Sequence, residues 1–137
     1  MRSVIGLVVS LIFVPFAAMS ADLAVQVNGI KSDKGRIGCS LHLSGDTFPM
    51  GEAALQQWQP AQKGTVSCVF SNVSPGMYAI AVSHDLNENG MTDTNFLGIP
   101  KEDWGVSNNV RPTMRAPTFD EAKFQFPNAN SIEINID

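Results

Sequence analysis

The residues with the clearest chemistry form a short run of oxygen-bearing side chains directly after a strand-like segment. Their spacing matches the first part of an EF-hand calcium loop, with side-chain oxygens at the first, third, fifth and ninth positions and a backbone carbonyl at the seventh. Calcium is a hard cation that prefers several oxygen ligands, and a tightly wound loop brings alternate residues to one centre. The sequence therefore predicts a calcium site formed by Asp85, Asn87, Asn89, the carbonyl of Met91 and Asp93.

The predicted calcium loop is incomplete at its twelfth position. Phe96 stands where an EF-hand carries a glutamate that binds the ion through both carboxylate oxygens. Without that ligand we expect a weak dissociation constant, about 10⁻⁴ to 10⁻³ M, unless Glu102 or Asp103 folds back to complete the site. Alternatively, the segment is an Asn89-Gly90 turn whose Asp and Asn side chains accept hydrogen bonds from nearby backbone N–H groups.

His84 lies immediately before the loop and could act in acid–base catalysis. It continues the inward face of the preceding predicted strand, where packing and hydrogen bonding often account for a histidine. The alternative is a small hydrolase or lyase in which His84 is a general base with Asp85 or Asp93. No Ser or Cys stands in a recognisable nucleophile elbow, and a continuing strand sends the His84 and Asp85 side chains to opposite faces.

A second group of polar and aromatic residues lies in the long segment that follows the loop. An indole ring and neighbouring amides suit a sugar or peptide ligand, so a carbohydrate-binding module is a further possible function. The same amides could instead bind the backbone of their own coil. The residues of this predicted ligand loop are Asn95, Trp104, Asn108 and Asn109.

Apolar and polar residues alternate in short segments separated by turn residues, which is typical of strands. The segments are residues 23–27, 36–43, 65–73, 77–83, 124–126 and 132–136. They predict an all-β fold, an antiparallel β-sandwich of about seven strands. Residues 51–58 and 117–122 are predicted short helices, and residues 85–116 a long ordered loop. We expect Trp58 to cover an end of the sandwich from a helix, and His42 to be a solvated surface residue.

Residues 1–20 have the composition of a secretory signal peptide. Arg2 gives a positive start, residues 4–18 are almost entirely apolar, and Ala18, Met19 and Ser20 suit a signal peptidase. The apolar run is short for a bilayer span. We therefore expect cleavage after Ser20, a single β-sandwich domain over residues 21–137, a periplasmic or secreted location, and no membrane span in the mature chain.

The charge of the chain restricts its partners. The formal net charge is −4, and the Lys and Arg residues do not cluster. Nucleic acids and anionic membranes bind basic surfaces, so neither is an expected partner. A small molecule, a glycan or another protein remains as the partner class, and we expect no organic cofactor.

Two cysteines, Cys39 and Cys68, lie on the apolar sides of two predicted strands. Export places them in an oxidising compartment, where a disulfide forms and persists. The chain-entropy argument gives such a bond about 3 to 4 kcal/mol of stabilisation. We therefore expect a Cys39–Cys68 disulfide.

Three segments between Pro75 and Phe124 carry a family resemblance. They read P-G-x-Y-A-I-A-V-x-H-D-x-N-x-N-G-x-x-D-T-N-x-x-G-I-P-K-E, G-V-S-N-N and P-T-F-D-E-A-K-F. In these segments the chain resembles a family of small exported bacterial proteins known as domain of unknown function 2141, in which G-F-S-N is commoner, so Val106 is a departure. The resemblance implies an exported β-sandwich and supplies no activity.

The run S-P-G-M-Y-A-I-A-V also resembles a strand signature of transthyretin-like and collagen-adhesin B-type sandwiches. Members of those groups are mostly structural or binding modules, although fold likeness alone does not establish function. The leading hypothesis is therefore a non-enzymatic exported β-sandwich, a binding or envelope-associated module with a weak calcium-type loop.

Overall fold

The computed structural model describes residues 3–13, 19–91 and 101–136. Within these residues the chain forms eight strands and one short α-helix, and a 3₁₀ turn at Ser107–Asn109 follows the sixth strand. The elements are β1 (Ala21–Ile30), β2 (Arg36–His42), β3 (Leu55–Pro60), β4 (Gly64–Val73), β5 (Gly76–Asp85), β6 (Trp104–Val106), α1 (Phe119–Ala122), β7 (Phe124–Phe126) and β8 (Ser131–Asn135).

The strands form two sheets. The first sheet has the order β4-β1-β8, and the second has the order β3-β2-β5-β6, with β7 paired to the start of β5. Strand β5 is therefore an interior strand, as the apolar residues on both of its faces indicate. The predicted all-β sandwich is confirmed.

The core lies between the two sheets and follows from the alternation of side chains along each strand. Every second residue of β1, β2, β4 and β5 points inward and is buried. Burial of one such aliphatic or aromatic side chain contributes about 1.5 to 3 kcal/mol. The inward residues include Leu23, Val25, Val27, Ile37, Leu41, Val66, Phe70, Tyr78, Ile80 and Val82, with Phe126 and Ile134 from the last two strands.

The predicted disulfide is confirmed. Cys39 of β2 is bonded to Cys68 of β4, and both side chains are fully buried. Because β2 belongs to the second sheet and β4 to the first, the bond joins the two sheets across the core.

One pair of strands differs from the expected antiparallel arrangement. Strand β8 runs parallel to β1, whereas the other pairs of the two sheets are antiparallel. A parallel neighbour requires a crossover and not a hairpin. The chain makes that crossover by passing from β7, in the second sheet, to β8 in the first. No turn residue signals such a pairing, so the strand pattern alone did not reveal it.

The predicted helix at residues 51–58 is wrong. Leu55–Pro60 is strand β3, which pairs with β2 along the edge of the second sheet. The helix prediction rested on the three-residue spacing of Leu55 and Trp58, which would place them on one side of a helix. In a strand that spacing sends them to opposite faces. The backbone hydrogen bonds offered by β2 outweigh the weak local preference of this polar segment.

The prediction that His42 is a solvated residue is also wrong. His42 is on the outer face of β2, but it is only 1% exposed because the segment after β2 covers it. The His42 ring packs edge-on against Phe48, with 5.3 Å between the ring centroids, and Phe48 packs against Phe119 of α1. Helix α1 itself agrees with the predicted turn at 117–122 and begins with a capping box between Thr118 and Glu121.

No helix within residues 3–13, 19–91 and 101–136 is both long enough and apolar enough to cross a lipid bilayer. Residues 3–13 lie outside any helix or strand, and their side chains are exposed.

Removal of the disulfide should destabilise the sandwich without changing its fold. For the Cys39→Ala/Cys68→Ala protein we expect a loss of about 3 to 4 kcal/mol in the free energy of unfolding, because the unfolded chain regains the entropy of an open loop. Urea denaturation of the oxidised wild type and the double variant measures this difference. Addition of a reductant should lower the stability of the wild type and leave the double variant unchanged. Equal stability of the two proteins would contradict the prediction.

Burial of His42 should make stability depend on pH. Burial lowers the pKa of His42 below its ordinary value of 6.5, and its Nε2 atom has no hydrogen-bond partner among the described residues. The unfolded chain therefore takes up a proton before the folded chain does as the pH falls. The stability due to neutral His42 is fully present above about pH 6.5 and is lost as the pH falls from there towards the lowered pKa, by up to about 1.4 kcal/mol per pH unit.

The measurement is urea denaturation between pH 8 and pH 5 of the wild type and of His42→Gln, which does not titrate. We expect a shallower dependence on pH in the variant. Parallel curves for the two proteins would show that another group causes the dependence.

Candidate functional site

A groove of about 840 Å³ lies on the outer face of the second sheet. Its floor is formed by β2 and β5 and its sides by β3 and β6. Gly90 and Met91, which follow β5 in the chain, line it, as do residues 49–51 and 111–117. The groove therefore brings together four strands and three connecting segments of the chain.

The floor of the groove is low because its residues are small. Paired residues on neighbouring strands share one face of a sheet, so each row across the sheet reads as one line of side chains. The first row consists of Trp58, Gly38, Ser83 and Trp104. The second row consists of Gln56, Ser40, Ala81 and Val106. Large side chains in the first row thus occur at the two edges, three strand spacings or about 14 Å apart.

Trp58 is held by residues of the neighbouring strand. A Cβ atom at Gly38 would lie 2.6 Å from the Trp58 ring, so the absence of a side chain there lets the ring lie against β2. The Arg36 guanidinium lies over the same ring, 3.9 Å from its centroid. Such a stacked cation contributes about 0.5 to 1 kcal/mol at an exposed site. The position of the Trp58 ring is therefore set by Gly38 and Arg36.

Trp104 opens β6, a strand of three residues that local periodicity does not reveal. Its backbone pairs with Ser83, and the Arg111 guanidinium lies over its ring, 4.2 Å from the centroid. Arg111 also donates a hydrogen bond to the Trp104 carbonyl. Each edge of the groove therefore has a tryptophan with an arginine stacked on it.

Asp85 ends β5 next to the groove, and its side chain is fully buried. One carboxylate oxygen accepts hydrogen bonds from the Gly90 N–H at 2.9 Å and from Arg36 Nε at 3.3 Å. The other oxygen accepts one from the Asn89 N–H at 3.2 Å. Burial of a carboxylate is costly unless charge and hydrogen bonds compensate for it, and these three donors do so.

The other described residues of the predicted calcium loop also accept backbone hydrogen bonds. Asn87 Oδ1 accepts from the Asn89 N–H at 3.3 Å, and Asn89 Oδ1 accepts from the Met91 N–H at 3.0 Å. Gly90 has a φ of 79°, a backbone conformation that glycine adopts more easily than other residues, and the chain bends at this position. This is the hydrogen bonding of a polar turn, and it keeps the oxygens of Asp85, Asn87 and Asn89 within one compact bend.

The two residues considered as additional ligands differ. Glu102 is buried and folds back on the loop, where its Oε2 accepts a hydrogen bond from the Leu86 N–H at 2.7 Å. Asp103 instead pairs with Lys31, at 3.2 Å between Nζ and Oδ2. Asp93 and Phe96 lie outside the described residues. Within the described residues, no three His, Cys, Asp or Glu side chains are grouped so that they could hold a metal ion.

His84 is buried on the inner side of β5, and its Nε2 lies 2.6 Å from the Lys34 carbonyl oxygen. A carbonyl can only accept, so Nε2 carries the proton of this bond. The two faces of β5 separate His84 from the Asp85 carboxylate, as the sequence predicted. The contacts of this ring are those of a hydrogen-bonded packing residue.

The predicted ligand loop divides in two. Trp104 lines the groove, whereas the two asparagines bind the protein backbone. Asn108 donates to the carbonyls of Glu121 and Lys123, at 3.1 and 3.0 Å. Asn109 accepts a hydrogen bond from the Asn135 N–H at 2.9 Å. Both asparagines have positive φ, which Asn tolerates better than most residues. Asn95 lies outside the described residues.

Sequence reasoning placed Trp58 on a helix at an end of the sandwich, and it missed Arg111 and the small residues of the groove floor. The available signal was the alternation of Gly38 and Ser40 with the inward residues of β2, which shows that the outer face of this strand has little bulk. The pairing that places Trp58 and Trp104 in one row depends on strand order, which the sequence did not supply.

Comparisons with known proteins agree with the resemblance noted in the sequence. The profile of a family described as "Uncharacterized protein conserved in bacteria (DUF2141)" matches residues 25–135. No curated protein and no solved structure matches the chain. The likeness to transthyretin-like and collagen-adhesin B-type sandwiches therefore stays a prediction.

Proposed function

We propose that this chain, which belongs to the bacterial family of domain of unknown function 2141, is an exported, non-enzymatic binding module. Its ligand would bind in the groove on the outer face of the second sheet. The observation that carries the proposal is the row that begins with Trp58 and ends with Trp104, with only Gly38 and Ser83 between them.

The dimensions and lining of the groove support a binding role. Ligand pockets have volumes of roughly 300 to 1,000 Å³ and combine aromatic or apolar walls with a few polar groups. A groove of about 840 Å³ with two tryptophans, two serines and a glutamine has this character. The side chains stand on paired strands, which hold them more rigidly than loops would.

Export is supported by the apolar segment at residues 4–18 and by the Cys39–Cys68 disulfide. Disulfides form in the periplasm and outside the cell, whereas they are rare in the cytosol. A binding module in the cell envelope or the medium is consistent with both features.

The proposal gives the loop after β5 a weakly bound calcium ion. The oxygens of Asp85, Asn87 and Asn89 lie in one compact bend, and the Glu102 carboxylate folds back on the same loop. Arg36 is already paired with Asp85 and would compete with a cation, which favours a weak site. Since Gly90 and Met91 line the groove, calcium would act as a clamp at one end of it.

Ligand binding should change the fluorescence of the protein. The chain contains two tryptophans, Trp58 and Trp104, and both line the groove, so intrinsic fluorescence reports on this site. We expect at least one probe from a panel of soluble polysaccharides and short peptides to shift the emission and to protect both rings from acrylamide. The variants Trp58→Phe and Trp104→Phe each retain one tryptophan. The emission of the remaining tryptophan should change on ligand binding in both variants.

The matched control is Leu55→Ala, which shortens an exposed side chain of the same edge strand that does not line the groove. It should bind as the wild type does. If no probe protects either tryptophan, the proposed function is wrong.

Calcium should raise the melting temperature of the protein at millimolar concentrations. Because the expected dissociation constant is about 10⁻⁴ to 10⁻³ M, about 10 mM calcium exceeds it at least about tenfold and should stabilise the folded state by about 1.4 kcal/mol or more, which is several degrees for a domain of this size. Thermal melts with calcium, magnesium or a chelator measure the effect. Calcium should have a larger effect than magnesium, since calcium accepts more oxygen ligands in a less regular geometry.

The Asp85→Asn variant removes a ligand charge and should lose the calcium shift. Asp103→Asn removes a neighbouring carboxylate that pairs with Lys31, and it should keep the shift. If several millimolar calcium does not change the melting temperature of the wild type, the proposed calcium site is wrong. The proposed binding role of the groove does not depend on this result.

A further inference from the structure

We propose that the ligand of the groove is a chain of uncharged sugars. This inference rests on the binding function proposed above and names the class of ligand. Three observations carry it: polar side chains on the floor that have no protein partner, indole rings at both edges, and arginines that are already bound within the protein.

The floor offers hydroxyl and amide groups. Ser40 and Ser83 are half-buried on β2 and β5, and Gln56 is exposed on the neighbouring β3. In the part of the chain that the structure describes, none of these three side chains hydrogen-bonds to another protein group. Hydroxyl and amide groups both donate and accept, as sugar hydroxyls do. A sugar on this floor would therefore find partners for its own hydroxyl groups.

The backbone of the floor favours a sugar over an extended peptide. Extended peptides commonly bind by adding a strand to the open edge of a sheet, where backbone N–H and C=O groups are free. Strand β2 is paired with β3 on one side and with β5 on the other, and β5 is paired with β2 and with β6. At the groove these two strands therefore have no open edge, and the polar contacts of the floor come from side chains.

The edges offer flat apolar surfaces. Trp58 and Trp104 are half-buried at opposite edges, so part of each ring is accessible from the groove. An indole ring is a large, rigid and amphipathic contact surface, which suits the C–H face of a sugar. With about 14 Å between the two edges, the floor is longer than one sugar ring, so we expect a chain of sugars and not a single residue.

The arginines that line the groove are bound to protein groups. Arg115 donates hydrogen bonds of 3.0 and 2.7 Å to the carboxylate of Glu121. Arg111 stacks on Trp104, 4.2 Å from the ring centroid, and donates to the Trp104 carbonyl. An anionic ligand would have to compete with these contacts for either guanidinium group. The groove is therefore better suited to an uncharged ligand.

The experiment compares sugars that differ in length and in charge. The neutral probes are the disaccharides and pentasaccharides of β-linked glucose, mannose and N-acetylglucosamine, and the charged probe is pentagalacturonate. Binding is followed by tryptophan emission at low and moderate salt. We expect at least one neutral pentasaccharide to bind about tenfold or more tightly than its disaccharide, because only the longer chain reaches both indole rings. Its affinity should not change with salt, since no ion pair forms.

Two matched variants test the floor. Ser83→Ala removes a hydroxyl between Gly38 and Trp104, and it should weaken binding of the neutral pentasaccharide by about two- to tenfold through the loss of a hydrogen bond. Ser67→Ala makes the same change on an exposed position of β4, in the other sheet and away from the groove. It should bind as the wild type does. Unchanged binding in Ser83→Ala overturns the inference.

The outcomes separate this inference from the proposed function. If pentagalacturonate binds more tightly than every neutral pentasaccharide, or if only peptides protect the tryptophans, the uncharged glycan is wrong and the binding module is retained. Equal affinity of each neutral pentasaccharide and its disaccharide also overturns the inference, because the ligand then does not extend between the two edges. Silence of every glycan and peptide overturns both.

Discussion

Arg36 connects the two parts of the molecule to which we assign function. Its guanidinium lies over Trp58 at one edge of the groove, and its Nε donates to the buried carboxylate of Asp85 at the start of the loop. The Asp85 side chain is fully buried and would be costly there without a cation and the two backbone donors beside it. The ion pair between Arg36 and Asp85 thus links the groove wall to the loop. A substitution of either residue should affect both the position of the Trp58 ring and the bend of the loop.

The strands were predictable because their signal is local. Inward and outward residues alternate along β1, β4 and β5, and a buried face imposes that pattern at every second residue. The prediction for β3 was wrong because its inward positions include Gln57 and Gln59, so this edge strand has no alternation of apolar and polar residues. The prediction that His42 is solvated was wrong because Phe48 packs on its ring, and Phe48 belongs to a segment that has no periodic pattern.

The candidate site was predictable in one part. The bend at Asp85, Asn87 and Asn89 is encoded by residues next to one another in the chain, so their spacing was enough to place it. The groove is a different case, since Trp58 and Trp104 meet across β2 and β5 through strand register. Register follows from the packing of the whole sandwich, and a single sequence read by pattern does not contain it.

The parallel pairing of β8 with β1 has a consequence for biosynthesis. Asn28 and its partner Asn135 are separated by 107 positions, so the first sheet acquires β8 only after the chain has been synthesised as far as residue 135. Contacts between such distant segments form slowly, because a long stretch must be ordered before they can be made. A nascent chain that still lacks β8 therefore cannot complete the first sheet, so closure of the sandwich is delayed until that strand has been synthesised.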